Sequence, residues 1–151
     1  MEQKVNGKDL TKEAPRSPKT KLGGYVILAR TLDKCRALLG GNIGDYHFDC
    51  PLDNMLFGWK RIVGDDFKAA VAEGRSDEEM VQWVDEQGRQ KSEDEKQQWV
   101  DEMMKTSLYN NPEKRDYFIE ETKKLGLDPA TTTMFDWLDE DDKVTHEKVA
   151  A

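Results

Sequence analysis

One short pattern, written twice, constrains this chain more than any other feature. Ser76-Asp77-Glu78-Glu79 leads into Trp83-Val84-Asp85-Glu86, and sixteen residues later Ser92-Glu93-Asp94-Glu95 leads into Trp99-Val100-Asp101-Glu102. A serine with a glutamate three residues on forms a capping box, in which each side chain satisfies an amide that a helix start leaves unpaired. The acidic first turns also face the positive end of the helix dipole. Two copies are too few for a stacked solenoid, so the pattern predicts two successive helices, each anchored by one tryptophan. No segment alternates with period two for long enough to argue for a sheet. The expected class is all-α: a compact single domain of six or seven short helices. An extended N-terminal arm is expected over residues 1–20, a helical domain over 21–142 and a solvated tail over 143–151.

Other punctuation agrees. Tyr25, Leu28, Leu32, Cys35 and Leu39 alternate three and four apart, predicting a helix from Leu22 to Leu39 that Gly40-Gly41 ends. Gly23-Gly24 weaken its first turn. Pro51 sits where a first helical residue belongs, ahead of Leu52, Met55, Leu56 and Trp59. Further helices are expected after Gly64, after Asn111-Pro112 and after Thr133, the last running into the acidic tail from Asp139. Leu28, Leu32, Leu39, Leu52, Leu56, Phe67, Phe118 and Leu125 form the expected core.

Charge is unevenly spread. The 151 residues carry a net −8, yet residues 1–36 hold nine basic and four acidic side chains. A basic head on an acidic body docks onto that body or collects an anion. No basic stripe follows a helix and the pI is about 4.9, so no nucleic-acid partner is expected. No apolar run approaches the ~20 residues of a membrane span, so no membrane partner is expected either. The opening Met1-Glu2-Gln3-Lys4 has no apolar signal core, and two cysteines make no disulfide framework. A cytoplasmic location with free thiols is expected.

Chemistry-bearing residues concentrate between Tyr25 and Asp53. Arg30 and Lys34 lie one helical turn apart and can converge on one anion, with Arg16 adding charge. Tyr25, Tyr46 and His47 would supply shape and hydrogen bonds. The plainer alternative pairs Arg30 with Asp33 on a solvated helix face. Cys50, directly before Pro51, falls at a helix N-cap, where free amides and the helix dipole favour a thiolate, and His47 is a potential base. His47, Asp49, Cys50 and Cys35 include metal-ligand types but lack the spacing of a zinc site, so no metal is expected. No cofactor is indicated.

The strings Asp9-Leu10, Pro15-Arg16-Ser17-Pro18, Lys21-Leu22-Gly23-Gly24-Tyr25, Asp33-Lys34-Cys35-Arg36-Ala37 and Tyr46-His47-Phe48-Asp49-Cys50-Pro51-Leu52-Asp53 resemble a bacterial family, domain of unknown function family 5069. Phe48 and Asp49 stand where that family's pattern has Tyr and Asn. The resemblance implies a soluble intracellular single domain and carries no activity. The functional expectation is therefore a domain binding a small anionic ligand or a partner through Tyr25–Asp53. One alternative is a thiol-dependent enzyme using Cys50 and His47. Another is a protein-interaction module whose acidic helices, residues 76–106, face a basic partner.

Overall fold

The computed structural model describes residues 7–150, with side chains through Glu147. Among the described residues seven α-helices follow one another: α1 Leu28–Gly40, α2 Pro51–Lys60, α3 Gly64–Ala72, α4 Asp77–Glu86, α5 Glu93–Lys105, α6 Arg115–Lys124 and α7 Met134–Ala150. A short 3₁₀ turn, Leu108–Asn110, precedes α6, and the described residues contain no strand. The all-helical single domain is thus the observed fold.

The local signals act where the sequence places them. Ser76 and Ser92 are the N-caps of α4 and α5, and both capping boxes are complete. Pro51 opens α2 with Cys50 at its N-cap. Gly41 closes α1 in the left-handed conformation, and its amide and that of Asn42 bond to carbonyls of the last turn. Thr133 caps α7 through its hydroxyl, which accepts from the Asp136 amide.

Three boundaries differ from expectation. Helix α1 starts at Leu28 rather than Leu22, because Gly23, Gly24 and Ile27 all have positive φ and the chain turns there. Gly23 also lies against α4: a β-carbon on it would stand 2.3 Å from a methyl of Val81. Helix α6 begins at Arg115, one turn after Asn111-Pro112. Asn111 instead caps that turn, accepting from Glu113 through its side chain and from Lys114 and Arg115 through its carbonyl. The acidic run from Asp139 continues as helix rather than ending α7, because Asp142 is buried and bonded to α1. Of the extended arm expected over residues 1–20, residues 1–6 lie outside the described residues. From Leu10 onward the N-terminal segment is irregular but packed, with Leu10, Pro15 and Pro18 buried.

The core joins α1 to every other region. Leu28, Leu32, Leu56, Phe67 and Phe118 are fully buried, whereas Leu39 and Leu52 are half-buried at its edge and Leu125 is half-buried outside it. An aromatic chain of Phe48, Phe57, Phe67 and Trp83 links α2, α3 and α4. Trp59 of α2 stacks on Trp99 of α5 with ring centroids 4.5 Å apart. The α4–α5 linker is clasped to the end of α2. Buried Lys60 donates to the Arg89 carbonyl at 2.7 Å, and the Arg89 amide donates back to the Lys60 carbonyl at 2.6 Å. Burial lowers the Lys60 pKa from its usual range, and the Asp85 carboxylate offsets this only in part.

Candidate functional site

Helix α1 has no solvated polar face. Arg30, Thr31, Asp33 and Lys34 are all buried, so the side opposite the leucine stripe is packed too. Burying charge is costly unless each group finds a counter-charge and hydrogen bonds, and the remainder of the chain supplies them. Arg30 grips Asp142 of α7 with both terminal nitrogens, at 2.6 and 3.2 Å. Asp33 takes Arg16 rather than Arg30, accepting from its backbone amide and two side-chain nitrogens. Arg16 also reaches Asp77, which in turn receives Arg36 at 2.7 Å. Those arginine bonds hold the Asp77 carboxyl below its usual range although burial opposes them. The basic head is docked on the acidic body.

The two cations expected to converge on one anion therefore each hold a carboxylate of the chain itself. Lys34 lies 2.8 Å from Asp53, a fully buried residue at the start of α2. Asp53 also accepts from the Thr31 hydroxyl at 2.7 Å and from the Asp49 amide at 2.9 Å. Sequence reasoning missed Asp142 and Asp53 as partners, because their pairing spans α7 and α2 and leaves no local spacing to read.

Other candidate residues are distributed around this network. Tyr25 is buried, its hydroxyl donating to Asp85 and its ring lying 4.3 Å from the Lys96 ammonium. Tyr46 donates to Asp142 at 3.0 Å, lies 3.0 Å from His146 Nε2 and stacks on that imidazole. His47 is exposed. Cys50 is half-buried, and its Sγ accepts from the Lys34 ammonium at 3.3 Å. The structure thus brings Lys34 to Cys50. Cys35 is fully buried in the core, which pushes its thiol up to about 12. Among the described residues, no three His, Cys, Asp or Glu side chains are grouped to hold a metal ion, and no helix is long and apolar enough to cross a membrane.

The exposed acidic helices carry a different feature. Residues 76–106 contain ten acidic and four basic side chains, most of the net charge of the molecule. An open groove of about 200 Å³ runs along α5, lined by Glu95, Gln98, Trp99 and Glu102 together with Trp59 of α2. Positions 95, 98, 99 and 102 share one helix face through the i, i+3, i+4, i+7 rule. Such a volume lies below the range of small-molecule pockets, room for a single side chain rather than a cofactor. The Lys91 ammonium already lies over the Trp59 indole, 4.8 Å from its centroid. The spacing along α5 was readable from sequence, but the arrival of Trp59 was not.

No curated protein matches the chain. The model of the domain of unknown function DUF5069 matches residues 12–144 and so spans every one of these features except the end of α7. Docked head, buried ionic network, Cys50–Lys34 contact and α5 groove all fall within that match, and the chain belongs to the DUF5069 family.

Proposed function

We propose that this chain is a binding module that presents the acidic surface of α4 and α5 to a basic partner. The observation that carries this reading is the contrast between the two charged regions. Arg16, Arg30, Lys34 and Arg36 are engaged by Asp33, Asp142, Asp53 and Asp77. Glu78, Glu86, Asp94, Asp101 and Glu102 are exposed on α4 and α5. Single-signed surface charge attracts an opposite partner and speeds its docking. The small anionic ligand considered for Tyr25–Asp53 would have to displace these internal carboxylates.

Fluorescence anisotropy with a labelled lysine-rich peptide tests the proposal. Binding is expected at low ionic strength and weakens as salt rises, because screening shortens the reach of exposed charge. Asp94→Lys with Asp101→Lys, which reverses two exposed charges of α5, should abolish it. Equal binding of a glutamate-rich peptide, or no binding of the basic one, refutes the proposal. Stabilisation by inorganic phosphate that is lost in Arg30→Met would instead support the anion reading.

The Lys34–Cys50 contact favours a second reading, thiol chemistry in which Lys34 takes the place expected for His47. An ammonium donating to sulfur stabilises a thiolate. In that case Lys34→Met slows alkylation of Cys50 by iodoacetamide while His47→Ala leaves it unchanged. Equal rates in all three proteins refute it.

A further inference from the structure

From the groove along α5 we infer a recognition site for a basic side chain, a lysine or arginine carried on an exposed segment of the partner protein. This rests on the acidic-surface reading and goes further, because it assigns the contact to one place. Glu95 and Glu102 are two turns apart on α5, about 10 Å along the axis at 1.5 Å per residue. Trp99 and Gln98 lie between them, and Trp59 forms the wall from α2. Carboxylates at both ends of an indole pair suit a long cationic side chain. Its charged head meets a carboxylate, while buried Trp99 and half-buried Trp59 bound its stem.

Two observations select a cation over an apolar occupant. Both flanking side chains are carboxylates, and the chain already lays one cation of its own, Lys91, over Trp59. The linker that carries Lys91 is held against the end of α2 by the reciprocal Lys60–Arg89 bonds. Lys91 is therefore a built-in competitor. Its charge beside Trp59 opposes an incoming cation.

The test uses the full chain and the lysine-rich peptide, read by anisotropy and by tryptophan fluorescence. Glu102 is the residue to change, since Glu95 also caps α5 by accepting from the Ser92 amide. Glu102→Gln should weaken binding at least about fivefold, the order of one cation–π or charge contact. Glu78→Gln removes the same charge from exposed α4, outside the groove, and should weaken it less than about twofold. Trp59→Leu, which changes no charge, should weaken binding as Glu102→Gln does, and Lys91→Ala should tighten it more than the control Lys105→Ala. Acetylating the peptide lysines should abolish the tryptophan response. If Trp59→Leu fails to fold, the comparison of Glu102→Gln with Glu78→Gln decides. Equal weakening by those two glutamate variants overturns the groove while leaving the acidic-surface reading standing. Absence of any binding overturns both. Sedimentation showing a dimer that Glu102→Gln dissociates would assign the groove to a second copy and overturn the proposed occupant.

Discussion

Replacing Arg30 by methionine removes one half of a clamp that joins residues 112 positions apart, α1 to α7. Arg30 is 4% exposed and Asp142 6% exposed, and two nitrogens meet two oxygens at 2.6 and 3.2 Å. Those exposures decide the magnitude. A solvent-exposed pair contributes ~0–1 kcal/mol, whereas breaking a buried pair costs about 3–5 kcal/mol because the abandoned charge stays in a poor solvent. The Tyr46 hydroxyl, 3.0 Å from Asp142, offers a single neutral donor in place of a cation, which puts the expected loss near the lower end, about 3 kcal/mol. In a domain of this size each kcal/mol moves the melting temperature by roughly 2–4 °C, so a fall of about 6–12 °C is expected. Urea unfolding followed by circular dichroism measures it, and hydrogen exchange should show α7 losing protection first. Arg30→Met with Asp142→Leu should recover most of the loss, since hydrophobic replacement of a buried pair is often neutral. A single-variant loss below about 1 kcal/mol, or a double variant as damaged as the sum of its parts, would refute the clamp.

Ser76→Ala and Ser92→Ala should each cost about 1 kcal/mol through loss of a helix cap, measured by denaturant midpoint. Leu32→Ala, in the fully buried stripe of α1, should cost roughly 2–5 kcal/mol in the same measurement, as transfer energy and a cavity combine. Gly88→Ala should cost more stability, by denaturant midpoint, than the ~1–2 kcal/mol of left-handed strain alone, because its β-carbon would stand 1.9 Å from the Lys60 carbonyl. Burial and the neighbouring carboxylates Asp85 and Asp142 raise the Tyr25 and Tyr46 hydroxyls above their usual pKa. Folded protein then holds phenolic protons that the unfolded chain releases near pH ~10, so stability falls as pH rises beyond that point. Tyrosinate absorbance recorded with circular dichroism should show both residues ionising only as the protein unfolds.

Local chemistry alone determined where most helices begin and end. The two Ser-x-x-Glu boxes, Pro51 and Gly41 act through neighbours within one turn, so their outcome is written within four or five residues of sequence. Periodicity likewise found the stripe of Leu28, Leu32 and Cys35, because a helix face repeats at fixed spacing. The Gly23-Gly24 turn was harder to read, since its close approach to Val81 is made with another helix. Charge partners were not readable at all. Arg30 has Asp33 at ideal helical spacing yet binds Asp142, because the fold brings α7's carboxylate to it and burial rewards the partner that arrives with matching geometry. Lys34 meets Asp53 and Cys50 for the same reason, as α2 directs its N-terminus at α1. The α5 groove combines both kinds of information. Its acidic face is written in the i, i+3, i+4, i+7 spacing, whereas the indole wall depends on Trp59 crossing from α2. Sequence determines what sits along one helix, and only tertiary packing decides which distant charge or ring is brought to face it.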